Sequence, residues 1–238
     1  MSGIPTTEQI RNTYGGKLDM KALFVNGSPR KNWTTAKMLN SAMKGALDSG
    51  AEVETLHLYD YDFKGCKSCF ACKLKNAKTN GVCAIRDELR PVLEKAHDAD
   101  VLVIGSPIYF SYPTGVTRAF LERLMFPVLS YNPTPAGEDE PKRLVPTAMI
   151  YTMGAMKEMT EEVGYPLILG ENERFLKQLF GYSETLCTYN SYQFGDYARY
   201  DVMEGVEERR AKYRDEQLPK DLEAAYALGK RLVEKAGG

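Results

Sequence analysis

The feature that most constrains this chain is a repeated alternation: a short apolar run closed by turn residues, then a stretch with helical spacing. Lys21–Asn26 (KALFVN) is apolar and stops at Gly27-Ser28-Pro29, the pattern of a buried strand. In Thr35–Ser49, Ala36, Met38, Leu39, Ala42, Met43, Ala46 and Leu47 mark one helical face, and Gly50 supplies the stop. Val53–Leu58 alternates apolar and polar residues, as a second strand does. Asp87–His97 predicts a helix, with Pro91 tolerated in its first turn. Asp100–Gly105 (DVLVIG) is a continuous apolar run suited to a central parallel strand. Ser106–Gly115, with two prolines and a glycine, reads as loop, and Val116–Leu129 as a helix disturbed at Pro127. Val145–Thr152 makes a fourth strand, Glu171–Phe180 a helix, Glu184–Tyr189 a fifth strand and Leu222–Lys235 a closing helix.

Strands that alternate with helices predict a parallel sheet covered on both faces, an α/β/α sandwich of three layers. Five strands suit a doubly wound, flavodoxin-like sheet in the order 2-1-3-4-5. Such sheets bind ligands at the carboxyl ends of the strands, beside the switch point between strands 1 and 3. The loops after Asn26, Gly105 and Thr152 are therefore the expected functional loops. The 238 residues accommodate one such domain over 21–238, preceded by an extension, 1–20, that reads as an arm or a partner contact. The net charge of −1 gives no reason to expect nucleic acid or an anionic membrane as partner. The polar N-terminus and the lack of a long apolar stretch predict a cytoplasmic chain.

The first of these loops, Gly27-Ser28-Pro29-Arg30-Lys31-Asn32-Trp33-Thr34-Thr35, opens directly into a helix. A helix N-terminus offers free N–H groups and a partial positive charge, so it seats phosphate. Ser28, Asn32, Thr34 and Thr35 add side-chain donors and Arg30 adds a cation. Neither the Walker pattern nor G-x-G-x-x-G is present, which argues against ATP or NAD as the tightly held ligand here. A plain strand-to-helix turn with good capping residues has the same composition. The stretch GSPRKNWTTAKML resembles the phosphate loop of the NADPH-dependent FMN reductase and iron–sulfur flavoprotein families, whose usual form is G-S-P-R-x-x-G-N-T. Gly27, Ser28, Pro29, Arg30 and Thr35 match, while Trp33 stands where Gly is usual and Thr34 where Asn is usual.

The loop Ser106–Gly115 resembles the S-P-I-Y-F/W-x-x-P segment of the same families, whose backbone lines the isoalloxazine edge. A flavin ring is flat, apolar on its faces and polar at its edge, and Pro107, Ile108, Tyr109 and Phe110 can supply both kinds of contact. Taken alone, the loop equally suits packing over the core. Thr152 and Gly154 stand where a third flavin-contacting turn is expected. The resemblance implies FMN as cofactor and hydride transfer from NAD(P)H to FMN, then on to a small-molecule or protein acceptor. It also implies a homodimer or homotetramer. No catalytic acid or base is needed, because the hydride chemistry belongs to the cofactors; His57 and His97 read as structural.

Four of the five cysteines fall within 18 positions, as Cys66-x2-Cys69-x2-Cys72-x10-Cys83 in a loop over 64–83. Thiolates at such spacing suit an iron–sulfur cluster or a zinc ion, and equally reduced thiols packed under a loop. The order resembles the iron–sulfur flavoprotein pattern C-x2-C-x2-C-x4-7-C, and Cys83–Glu88 resembles its C-x-I-x-D-D tail, with a longer final gap here. That resemblance implies a second reading of the chain, an electron-transfer protein with FMN and a [4Fe-4S] cluster. Cys187 reads as a buried apolar residue. Beyond the minimal core lie the polar excursion Tyr131–Arg143, the aromatic segment Tyr189–Tyr200, which suits a subunit interface or a substrate wall, and a charged helix or linker over Glu204–Glu216.

Overall fold

The computed structural model describes residues 20–77, 79, 81–131 and 143–237. The elements run β1 (Lys21–Asn26), α1 (Thr34–Asp48), β2 (Glu52–His57), α2 (Leu89–Asp98), β3 (Val101–Tyr109), β4 (Tyr112–Pro113) and α3 (Gly115–Val128). They continue with β5 (Val145–Thr152), α4 (Lys157–Glu162), α5 (Tyr165–Phe180), β6 (Gly181–Thr188), α6 (Val206–Glu216) and α7 (Leu218–Gly237). The sheet order is β2-β1-β3-β5-β6, every pair parallel, with β4 added antiparallel to β3. This is the doubly wound order expected from the sequence, with a two-residue sixth strand.

Strand periodicity divides the core in two. Ala22 and Phe24 of β1, Val101 and Val103 of β3, and Ala148 and Ile150 of β5 pack under α1 and α7. Their neighbours Leu23, Val25, Leu102, Ile104, Met149 and Tyr151 pack on the opposite face under α2, α3 and α5. Burial on both faces is why these strands read as unbroken apolar runs. Each fully buried large apolar side chain contributes roughly 1.5–3 kcal/mol. Gly45 of α1 and Gly229 of α7 bring those two helices into backbone contact. A Cβ on Gly45 would lie 2.0 Å from Tyr226 O, and one on Gly229 1.9 Å from Ala42 O.

Several expectations shift. β3 runs past Gly105 to Tyr109, because Ser106 and Pro107 pair with Tyr151 and Thr152 of β5, and Ile108 and Tyr109 pair with β4. The two prolines had masked this extension as loop. α3 passes Pro127, which stands in its last turn, where only one ladder bond is lost. α5 starts at Tyr165, six residues before the predicted start, with Pro166 in its first turn. The short helix α4 was not expected, and the charged stretch near Glu204–Glu216 is helical as α6. Residues 1–19 and 132–142 lie outside the described residues, and with them the predicted arm and most of the polar excursion. Among the described residues no helix is long and apolar enough to cross a membrane.

Candidate functional site

The carboxyl ends of β1, β3 and β5 open into one crevice of about 260 Å³. Ser28, Arg30, Thr34, Thr35, Pro107, Ile108, Tyr109, Thr152 and Gly154 line it, all singled out from the sequence, together with Trp33, Met153 and Ser191–Phe194.

The loop after β1 is fixed by side chains. Asn26, buried at the strand end, accepts from Ser28 N at 2.9 Å, and Ser28 Oγ accepts from Arg30 N at 3.1 Å. Asn26 Nδ2 in turn donates to His57 Nδ1 at 3.1 Å. Burial pushes the His57 imidazole below its ordinary value and Lys31 adds to the shift, with Asp60 opposing, so the neutral ring accepts this bond. Thr114, the cap of α3, donates to Gly27 O at 2.9 Å, and Ser106 Oγ accepts from Thr114 N at 3.1 Å. These bonds join the loops after β1 and β3. Beneath them the buried Thr35 and Thr152 hydroxyls meet at 2.7 Å.

α1 opens without a side-chain cap, since Trp33 occupies that position. The first-turn N–H groups therefore have no side-chain partner and point to where the loop converges. Arg30 stacks on Trp33, guanidinium to ring 4.5 Å, and donates to Gln193 O at 2.6 Å. It thus joins the phosphate-type loop to the aromatic segment.

Two expected residues stand elsewhere. Asn32 is exposed and lines a neighbouring chamber. Phe110 points into solvent, 97% exposed. Phe110 and Ser111 carry φ of 49° and 72° and form the two-residue turn between β3 and β4, where left-handed backbone matches the strand twist.

The far wall was the least legible part. Ser191 N donates to Met153 O at 2.9 Å and Asn190 N to Ala155 O at 3.0 Å, which lays the segment after β6 beside the turn after β5. Arg210 of α6, buried, donates to Gln193 Oε1 at 2.6 Å, Tyr197 OH at 3.1 Å and Gly154 O at 3.3 Å. Gly154 permits this approach: a Cβ there would lie 2.6 Å from Gln193 Nε2. The tyrosine density of Tyr189–Tyr200 was the only sequence signal for this wall, and Arg210 gave none within its run of charges.

The crevice fits a flavin mononucleotide. Ser28, Thr34 and Thr35 are buried donors around an uncapped helix start, the seat of an anion. Ser191, whose Oγ is buried without a hydrogen-bond partner among the described residues, also lines the crevice. Pro107, Ile108, Tyr109 and Met153 provide apolar wall.

The cysteine segment differs. Among the described residues of the loop, regular structure is limited to one turn of 3-10 helix, Ala71–Lys73. Its ends are gathered by Arg123 of α3, whose side chain is fully buried. Arg123 grips Asp87 bidentately at 2.6 and 2.8 Å and reaches Lys64 O at 3.2 Å. The Arg123 hydrogen bonds hold the Asp87 carboxyl below the usual carboxylate range. Cys83 is buried, Cys66 and Cys72 are half-buried and Cys69 is exposed. Burial raises the Cys72 thiol pKa. Among the described residues no three His, Cys, Asp or Glu side chains gather as a metal site, so the ligand set expected at Cys66, Cys69, Cys72 and Cys83 is not assembled. Cys83 sits in the core and Cys69 faces solvent. Cys187 is half-buried rather than fully buried.

An iron–sulfur flavoprotein of Archaeoglobus fulgidus is 39% identical over 104 residues, 44% of this chain and 48% of that protein. One from Methanocaldococcus jannaschii is 30% identical over 104 residues, 44% of this chain and 51% of its own length. The chain thus spans about half the length of these curated relatives. Among solved structures, an azoreductase from Bacillus anthracis superposes with TM-score 0.63 at 16% identity, covering 89% of this chain and 99% of that one. An NAD(P)H:quinone oxidoreductase from Methanothermobacter marburgensis gives 0.62 at 16%, covering 90% and 98%. At that identity the likeness establishes the fold. Residues 20–161, more than half the chain, match the family described as NADPH-dependent FMN reductase, and the chain belongs to that family.

Proposed function

We propose that the chain holds FMN in the crevice and works as an NAD(P)H oxidoreductase that passes electrons to a small-molecule or protein acceptor. The observation that carries this reading is the convergence of Ser28, Thr34 and Thr35, at the uncapped start of α1, with Pro107–Tyr109 and Thr152–Gly154 around a single crevice. That crevice stands at the switch point of a doubly wound sheet. When bound, FMN supplies the ability to accept hydride from a nicotinamide donor and release it onward.

The protein's part is placement. Ser28, Thr34, Thr35 and the α1 N–H groups hold the phosphate. Pro107, Ile108, Tyr109 and Met153 wall the ring. Gly154 and the Ser191–Phe194 segment, joined through Arg210, close the side away from β2 and limit water. A homo-oligomer in the cytoplasm is part of the same proposal, on the strength of the resemblance.

Titration of the protein with FMN tests the reading. Saturable binding at one flavin per chain, followed by NADPH oxidation, is the expected result. A protein that stays colourless in excess FMN would overturn it.

The similarity to iron–sulfur flavoproteins favours a second reading, an electron-transfer flavoprotein with a [4Fe-4S] cluster. Four thiolates are the right donor set, although the described cysteines do not form a cage. Anaerobic purification with metal analysis separates the two. About four irons per chain with broad absorbance supports the carrier; iron-free yellow protein supports the reductase.

A further inference from the structure

A second chamber of about 270 Å³ lies against the first and shares Trp33, Thr34, Ser191, Tyr192 and Phe194 with it. Each chamber is near the lower limit of about 300 Å³ for small-molecule sites, the scale of one mononucleotide rather than two. Their linings differ. The second chamber adds two cations, Lys37 of α1 and Arg214 of α6.

The Lys37 ammonium has no ion pair or side-chain hydrogen bond among the described residues. Arg214 is bonded to Asp215 at 2.8 and 3.1 Å, and its guanidinium lies 5.0 Å from the Tyr192 ring. The walls are aromatic, and Ser191 lines both chambers. Aromatic walls with two cations match a purine nucleotide: rings take the base and cations answer the phosphate charge. A dinucleotide donor that brings its nicotinamide to a flavin in the first chamber needs a place nearby for its other half.

Resting on the reading that FMN fills the first chamber, we propose that the chamber behind Trp33 receives the adenosine-phosphate half of the nicotinamide donor, with Lys37 and Arg214 facing its phosphate.

The test is calorimetric titration with adenosine 2′,5′-bisphosphate, on protein with and without added FMN. The proposal expects saturable one-to-one binding in both states. It expects binding at least about tenfold weaker in the Lys37→Ala/Arg214→Ala variant, with the FMN dissociation constant unchanged within about twofold; both side chains are exposed, so folding is not at stake. Inorganic phosphate should bind far more weakly than the probe.

No saturable heat in the wild type, or equal affinity in the variant, overturns the proposal. So does displacement of FMN by the probe, which would make the two chambers one site, or inorganic phosphate binding as tightly as the probe. Failure to take up FMN, read separately from flavin absorbance, would instead sink the parent reading while the flavin-free titration still judged this one.

Discussion

The crevice at the strand ends and the cysteine loop both follow strands of the same sheet, yet they are ordered by different means. In the crevice, order is inherited from the sheet. Asn26 fixes the turn of Ser28, Thr114 joins two loops, and Thr35 at the start of α1 meets Thr152 at the end of β5. The cysteine loop is held instead from one helix, α3: Arg123 gathers its two ends, Glu122 accepts from Cys66 N at 3.0 Å, and Pro127 O accepts from Lys73 Nζ at 3.1 Å. A site distributed over several strand ends tolerates one loss, whereas a loop whose two ends meet at one buried cation depends more heavily on that cation.

The largest test of that contrast is Arg123→Ala. It strands Asp87 and the loop carbonyls, and about 3 kcal/mol of stability should go with it, read as a lower urea midpoint with early proteolysis between residues 64 and 87. FMN affinity should hold; if it collapses, the two regions are not independent.

Thr35→Val probes the other side. Leaving the buried Thr152 hydroxyl alone should cost about 2 kcal/mol and weaken FMN, both visible in one titration and one melt. An unperturbed melt would show that the bond between α1 and β5 contributes nothing.

Arg30→Ala removes the tie to Gln193 and the cation beside the phosphate. The FMN dissociation constant should rise about tenfold, equivalent to ~1.4 kcal/mol. No rise would mean that Arg30 serves only the wall.

The fourth test uses pH. His57 has its folded value pushed below 6.5, so the unfolded chain binds more protons as pH falls past 6.5. Its contribution is fully present above that pH and is lost on acidification toward the lowered value. Wild type should lose more stability than His57→Gln between pH 7 and 5.5. Parallel pH profiles would refute the link to Asn26.

The smallest effect belongs to Cys69→Ser. An exposed side chain should change stability by no more than about 0.5 kcal/mol. A loss of several times that would show the four thiolates joined through a metal after all.

What could be read from the sequence followed from locality. The strand ends and the helix start at Thr34 are written in adjacent residues, so nine of the eleven residues picked for the flavin reach the crevice. Asn32 and Phe110 do not, because a turn decides their direction and the positive φ of Phe110 has no glycine to announce it. Pro166 and Gly170 hid the first turns of α5, and Pro107 hid the end of β3, where tertiary pairing overrides local preference. The wall built by Ser191–Phe194 and Arg210 depends on partners as far as 163 positions away. No local pattern encodes such pairings.

The glycine contact between α1 and α7 has a consequence for the timing of folding. Phosphate-loop residues are synthesised early, but the helix they open into cannot bury its Gly45 face until Gly229 has been translated. A nascent chain halted before residue 218 would carry every residue that lines the first crevice and still expose the flank of the helix on which they depend. Maturation of that crevice therefore waits on a segment that forms no part of its wall.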